Sequence, residues 1–188
     1  MIASGASKLR DIGRNGARCM PALSTEHRAL LCQPGGTATL LARLQEARLL
    51  DEAVSLLSYA LPEREAVWWA CMCVEQSAPD RFDPAQRQIL LVTREWVRSP
   101  GEASKSRCLH AAKAVGAVGG AAFAARAAFA ANLADASSLH AGRRVERSVI
   151  EAAATGGPER RQSWHERFLL IGHDIAAGSA GRIQPGRR

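Results

Sequence analysis

Histidine is the side chain best suited to acid–base or metal chemistry at neutral pH, and the five histidines of this chain form no recognised motif. They occupy positions His27, His110, His140, His165 and His173. His165 is followed by Glu166 but lacks the second histidine that a zinc-binding HExxH helix requires. His173 and Asp174 are adjacent, so on a helix they point to different sides. The spacing therefore predicts no catalytic residue and no metal ligand.

Nucleophiles and phosphate loops are not indicated by the sequence either. It contains no GxSxG element, and the glycines of Gly116–Gly120 follow a helical pattern instead of a strand. Cys71 and Cys73 would lie about 200° apart around a helix, so they cannot bind one metal together. The five cysteines are odd in number, lack a CxxC pair and are typical of small buried residues in a reducing compartment: Cys19, Cys32, Cys71, Cys73 and Cys108. We expect no disulfide, no metal and no cofactor.

The segment Leu61–Gln76 (LPEREAVWWACMCVEQ) is the element around which the others must be placed. Pro62 suits the first position of a helix, where its missing N–H costs nothing. The nine residues from Ala66 to Val74 are all apolar and would cover every face of a helix. Because this run is too short to cross a bilayer, it favours a helix at the centre of a helical domain. Four of its residues are candidates for interaction or for the core: Arg64, Glu65, Trp68 and Trp69.

Each of these four residues has two interpretations. Core packing of Trp68 and Trp69 is favoured over a ligand pocket or a partner groove, because their whole turn is apolar. Glu65 could lie against the indole edges or pair with an arginine of another helix, and Arg64 could form a salt bridge outward. For both charged residues a solvated first turn is the favoured interpretation.

The remaining periodicities predict helices and no strand. Asp51 is predicted to cap the second helix, while Asp83-Pro84-Ala85-Gln86 and Ser99-Pro100-Gly101-Glu102 each predict a capping box. A short helix is predicted at Ser24–Leu31, and a loop at Ala134–Gly142 precedes a helix near Arg143–Ala154. The expected fold is all-α, a compact bundle of about six to eight short helices whose pairing invites comparison with helical-repeat proteins.

The basic charge of the chain sits mainly outside its centre. Residues 37–177 hold 17 bases and 16 acids, whereas residues 1–36 hold five bases and two acids and residues 178–188 hold three bases and no acid. The sequence therefore predicts a flexible basic tail at 1–36, one helical domain at 37–178 and a basic tail at 179–188. No apolar region of a signal peptide precedes Leu30, and no apolar segment is long enough to span a membrane, so we expect a cytoplasmic protein.

Three blocks of the sequence resemble an uncharacterised family of small helical bacterial proteins often encoded among type VI secretion genes. The blocks are Asp51–Val74 with its ALPEREAVWWACMCVEQ segment, the Ala/Phe-rich Gly119–Ala131, and Arg167–Gly178 with ERFLLIGHDIAAG. The resemblance spans residues 37–178 and implies an all-helical domain. It supplies no catalytic residues.

These observations lead to one function hypothesis and two alternatives. The hypothesis is a non-enzymatic protein-interaction module, an accessory or adaptor of type VI-like secretion machinery with an unidentified protein partner; whether it forms homo-oligomers is left open. The first alternative is a nucleic-acid-associated protein that uses its basic tails, which is disfavoured because no binding motif accompanies the charge. The second is an enzyme whose site is assembled from distant residues.

Overall fold

The computed structural model describes residues 7–12, 29, 34–77, 82–115, 119–131 and 139–181. Within these ranges the chain forms eight α-helices and no β-strand, which confirms the predicted all-α class. The helices are α1 (Thr37–Glu46), α2 (Leu50–Ala60), α3 (Glu63–Ser77), α4 (Pro84–Arg98), α5 (Glu102–Ala114), α6 (Gly120–Ala130), α7 (Leu139–Ala154) and α8 (Pro158–Ala176). None of the helices in the described ranges is long and apolar enough to cross a membrane.

Helix α3 lies at the centre of the fold, as its apolar run predicts. It packs against α2, α4, α6, α7 and α8. Val67, Trp69 and Cys71 are fully buried on it. The indole Nε1 of Trp69 donates a hydrogen bond of 2.8 Å to the carbonyl oxygen of Phe168 on α8, so the one polar atom of this buried ring is satisfied.

One of the predicted capping boxes is confirmed. The carboxylate of Asp83 accepts a 2.7 Å hydrogen bond from the backbone N–H of Gln86, and the Gln86 side chain accepts one of 3.3 Å from the Asp83 N–H. Together with Pro84 at the first position, these bonds begin α4 where the sequence indicates.

Two other predicted caps are wrong. Helix α5 begins after Gly101 without a side-chain cap, and Ser99 contributes its carbonyl oxygen as an acceptor for Ser104 Oγ instead. Helix α2 begins after Leu49, again without a side-chain cap. Asp51 lies inside the first turn of α2, where its carboxylate is used by side chains of α8.

Helix α7 begins at Leu139, earlier than the predicted start at Arg143. The extra turn places His140 on the same helix as the arginines that follow. The predicted helix at Ser24–Leu31 falls, except for Ala29, outside the described residues.

Two glycines allow α7 and α8 to approach α2 closely. A Cβ added to Gly142 on α7 would lie 2.5 Å from Cδ1 of Tyr59, and one added to Gly172 on α8 would overlap Cδ2 of Leu57. Any larger residue at these two positions would force the helices apart.

Residues 7–12 pack against the helices, so the predicted flexible tail at 1–36 is wrong for this part. The backbone N–H of Lys8 donates to the carbonyl of Ala176 at 2.8 Å, and the N–H of Arg10 donates to that of Ala60 at 2.7 Å. The segment has no helical periodicity in its sequence and does not form a helix. Its backbone N–H groups bind carbonyl groups at the ends of two helices instead. We call residues 7–12 the N-terminal strap.

The predicted C-terminal tail also begins too early. Ala180 accepts a 3.0 Å hydrogen bond from Nε1 of Trp68, and the N–H of Gly181 donates to the carboxylate of Asp174 at 2.8 Å. Residues 179–181 therefore rest on α3 and α8. Apart from residues 29 and 34–36, the rest of both predicted tails lies outside the described residues.

Candidate functional site

Trp68 is half-buried, and both its polar atom and its ring have partners within the chain. Its Nε1 binds Ala180, and the guanidinium carbon of Arg94 lies 5.2 Å from the ring centroid. Arg94 is itself ion-paired with Glu75. The Trp68 ring thus holds the C-terminal segment and α4 against α3, as a structural residue would.

The two charged candidates of α3 also serve contacts within the chain. Glu65 pairs with Lys8 of the strap at 3.1 Å, not with an arginine of another helix. Arg64 Nε donates to the carbonyl of Val97 at 2.5 Å, which ties α3 to the last turn of α4. With Trp69 in the core and Trp68 on the surface, the four candidates do not converge on one site.

A basic cleft with a volume of about 520 Å³ lies between α6 and α7, and the sequence did not predict it. His140, Arg143 and Arg147 share one face of α7, because residues three and four apart lie on the same side of a helix. We define the basic cleft by its lining residues: Phe123, His140, Arg143, Arg144, Glu146, Arg147 and Ile150. The three-and-four spacing of these basic residues indicates a basic face of α7 once the helix begins at Leu139, but it does not place Phe123 of α6 beside them.

The arginines of the basic cleft are accessible. Arg143 is exposed and Arg144 is half-buried. The side chain of Arg147 is 59 % exposed; its guanidinium lies over the ring of Phe123 at 5.7 Å and pairs with Glu151 at 2.7 Å. Accessible guanidinium groups can bind carboxylates or phosphates through paired hydrogen bonds.

Glu146 is the one acidic residue that lines the cleft. Burial raises the pKa of its carboxyl above the ordinary value, although the nearby Arg143 and a 3.3 Å hydrogen bond from the Tyr59 hydroxyl act in the opposite direction. Burial thus disfavours the charged form of Glu146.

A second cluster joins α2 to α8. Nδ1 of His165 lies 2.8 Å from one carboxylate oxygen of Asp51, and Nη2 of Arg161 lies 2.6 Å from the other. His165 is 1 % exposed, and its Nε2 has no hydrogen-bond partner among the described residues. Burial lowers the pKa of His165, while the Asp51 charge raises it. The histidine is therefore held largely neutral.

This cluster lacks a partner for nucleophilic chemistry. The adjoining cleft of about 390 Å³ has no serine, threonine or cysteine in its lining, which consists of Arg48, Leu49, Leu50, Asp51, Glu52, Pro158, Arg161, Gln162 and His165. An acid–histidine pair needs a hydroxyl or thiol within hydrogen-bond reach to activate a nucleophile. The described geometry supports a link between two helices better than it supports a catalytic centre.

The cysteines of the described ranges are buried and unreactive. Burial raises the pKa of Cys108 to about 11, and it raises the pKa values of Cys71 and Cys73 further. These thiols stay protonated at neutral pH, so they are poor nucleophiles. The part of the chain that the structure describes contains no group of three or more residues placed to hold a metal ion.

The model of a family of unknown function, DUF6931, matches residues 40–176, from α1 to the end of α8. The chain belongs to DUF6931. The predicted membership of an uncharacterised family is therefore confirmed, and the association with secretion genes stays a prediction. The comparisons found no similar curated protein and no similar solved structure.

The DUF6931 match contains both clusters but not the strap. All residues of the basic cleft, and Asp51, Arg161 and His165 of the second cluster, lie between residues 40 and 176. Residues 7–12 precede the match, so the strap is an addition to the DUF6931 region of this chain.

Proposed function

We propose that this DUF6931 protein is a non-enzymatic helical protein-interaction module that binds an acidic segment of a partner protein in the basic cleft. The observation that carries the proposal is a local charge imbalance. Bases and acids nearly cancel over residues 37–177, at 17 against 16, yet the cleft gathers three arginines and a histidine around one glutamate. Arginine clusters of this kind recognise acidic or phosphorylated protein motifs.

The size and lining of the cleft favour a short protein segment over a nucleic acid. From His140 to Arg147 the basic face extends about 10 Å along α7, whereas nucleic-acid surfaces are usually longer positive stripes. Phe123 and Ile150 add apolar surface, which suits a segment that alternates acidic and apolar residues.

The resemblance of three sequence blocks to proteins encoded among type VI secretion genes supports a bacterial secretion assembly as the source of the partner. On this proposal the protein acts in the cytoplasm as an accessory or adaptor and performs no reaction itself.

The test uses the full chain and a labelled peptide of alternating glutamate and leucine. The Arg143→Ala/Arg147→Ala variant should bind the peptide at least about tenfold more weakly than wild type, because it loses two charge-assisted contacts. The Arg98→Ala/Arg160→Ala variant removes two exposed arginines outside the cleft and should bind as wild type does. Equal affinity of both variants, with an unchanged circular dichroism spectrum, would refute the proposal.

A single-stranded oligonucleotide of equal charge serves as the second probe. Tighter binding of the oligonucleotide than of the peptide, with a steep dependence on salt, would move the function to the nucleic-acid class. A partner protein recovered from native cells with the wild-type chain should behave as the peptide does. It should bind Arg143→Ala/Arg147→Ala more weakly than wild type and bind Arg98→Ala/Arg160→Ala as wild type does.

An enzyme is the second candidate function, and the Asp51–His165 contact is the observation in its favour. The two residues are distant in the sequence, and the Asp51 carboxylate orients the His165 imidazole as the acid of a catalytic triad orients its histidine. The two candidates differ in their sensitive residues: an activity that is lost in His165→Gln but kept in Arg143→Ala/Arg147→Ala would indicate the enzyme.

A further inference from the structure

The strap occupies a groove formed by the C-terminal ends of two helices. Carbonyl groups at such ends lack donors within their own helix and carry a partial negative charge. In this groove they belong to Tyr59, Ala60 and Leu61 at the end of α2 and to Ala176 at the end of α8. A segment that brings backbone N–H groups and cationic side chains therefore matches the groove chemically.

Arg10 makes the largest share of the polar contacts. Its backbone N–H donates to Ala60 at 2.7 Å, and Nη2 of its guanidinium donates to the carbonyls of Tyr59 and Leu61 at 2.9 and 3.0 Å. Lys8 adds its backbone bond to Ala176 and its ion pair with Glu65. The Arg10 guanidinium lies where the negative end of α2 favours a cation.

The other residues of the strap set its direction and add apolar contact. Leu9 and Ile12 pack against the hydrophobic core as partly buried residues. The hydroxyl of Thr37, at the start of α1, accepts from the N–H of Ile12 at 3.1 Å and donates to the carbonyl of Arg10 at 3.0 Å. The groove thus binds a segment with the sequence pattern Lys-apolar-Arg-x-apolar.

The strap is only partly buried and is separated in the sequence from the helix start that it contacts. Residues 13–36 join Ile12 to Thr37, a connection of 24 residues between two positions that touch. The strap is short and half-exposed, as segments that open locally are. Because the strap belongs to the same chain as the groove, it competes with any similar segment of a partner.

We propose that this groove is a binding surface for an extended basic segment of a partner protein. The strap occupies the groove in place of that segment. The surface is separate from the basic cleft and takes a ligand of opposite charge. A chain with both surfaces free would bind an acidic segment at one and a basic segment at the other.

The test uses a labelled peptide of residues 5–14 and the full chain. Lys8→Ala/Arg10→Ala in the chain weakens the strap but leaves the groove intact, so this variant should bind the peptide at least about tenfold more tightly than wild type. A peptide that carries the same two alanines should not bind. Glu65→Gln, added to the variant chain, should weaken the binding again, because Glu65 is the acidic partner of Lys8.

Two outcomes would overturn the proposal. The first is no saturable binding of the peptide to a Lys8→Ala/Arg10→Ala chain that keeps its helical spectrum. The second concerns the wild-type chain, so it applies even if that variant fails to fold. The backbone amides of Lys8, Arg10 and Ile12 should exchange their hydrogens faster than those of α3. Exchange of these amides only by global unfolding would contradict a displaceable strap. Arg143→Ala/Arg147→Ala should not alter peptide binding, so this proposal and that for the basic cleft fail independently.

Discussion

Trp68 and Trp69 are neighbours in the sequence but occupy different environments. A rotation of about 100° between successive helical residues turns Trp69 into the core and leaves Trp68 at the surface. Trp69 is fully buried and bonded to Phe168, whereas Trp68 holds Ala180 and carries Arg94 on its ring. A run of apolar letters predicts that such a helix is central, but it does not distinguish these two roles.

Truncation should separate the two tryptophans. We expect Trp69→Ala to lower the free energy of unfolding by about 3–5 kcal/mol, because it leaves a cavity in the core. Trp68→Ala should cost about 1 kcal/mol. Urea denaturation followed by circular dichroism measures both. A Trp69→Ala chain as stable as wild type would show that α3 is not the centre of the core.

One buried histidine, His165, and one half-buried histidine, His173, make the stability depend on pH. Burial is the leading cause that lowers the pKa of both His165 and His173 from the ordinary value of about 6.5, so the unfolded chain binds protons more readily than the folded one. Their stabilising contribution is complete above pH 6.5 and is lost as the pH falls through their folded pKa values. Glu146, whose pKa is raised, contributes in the opposite sense: its contribution is complete below about pH 4.5 and is lost as the pH rises.

The histidine contribution can be measured by substitution. His165 faces Asp51 and Arg161, so His165→Gln removes the titrating ring from that contact. Between pH 7.5 and 5.5 the unfolding free energy of His165→Gln should fall less than that of wild type, by at most about 1.4 kcal/mol per pH unit. His110→Gln, at an exposed position, should keep the wild-type slope. Parallel slopes for all three proteins would contradict the assignment.

At the scale of the elements, the start of α4 should depend on its cap. We expect Asp83→Ala to cost about 1 kcal/mol, because it removes the acceptor of the Gln86 amide. Ser99→Ala should change the stability by less than about 0.5 kcal/mol, since only the carbonyl of Ser99 is used. Thermal melts of the two variants compare the Asp83 cap, which the structure contains, with the predicted Ser99 cap, which it does not contain.

The close approach of α8 to α2 should tolerate no added methyl group. Gly172→Ala would place its Cβ against Leu57 and 3.2 Å from Nε1 of Trp69, so we expect a loss of about 1–3 kcal/mol. Gly36→Ala, with no atom within 4 Å of the added carbon, should stay within about 0.5 kcal/mol of wild type. An unchanged melting temperature for Gly172→Ala would mean that the two helices can separate freely.

Short sequence patterns predicted the helix starts that depend only on neighbouring residues. They failed where contacts between distant parts of the chain determine the role of a residue. Proline begins α4 and α8 as predicted, because its effect on the backbone needs no distant partner. Asp51 was misread as a cap, since its carboxylate binds His165 and Arg161 from the other end of the chain. The basic cleft was missed because it also requires Phe123 of α6 to lie against α7, a contact that no short pattern encodes.

At the scale of the whole molecule, the folded unit is longer than the predicted domain of residues 37–178. A chain of residues 37–178 lacks the strap and residues 179–181, so we expect it to be less stable than the full chain by about 1 kcal/mol or more. Its melting temperature should be roughly 2–4 °C lower for each kcal/mol lost. A chain of residues 7–181 should melt as the full chain does. Identical melts of all three would show that the strap bonds add nothing to stability.

The hydrogen bond between Lys8 and Ala176 has a consequence for the path of the chain through space. It brings the first described segment to the end of the last helix, so the folded course from Ser7 to Gly181 is nearly a closed ring. Domains with adjacent ends tolerate circular permutation, because a short linker can join the old ends while a new opening is cut in an exposed connection. Opening the ring at the turn between α7 and α8 would give a chain that begins with α8, with the strap fixed behind it by a linker of a few residues.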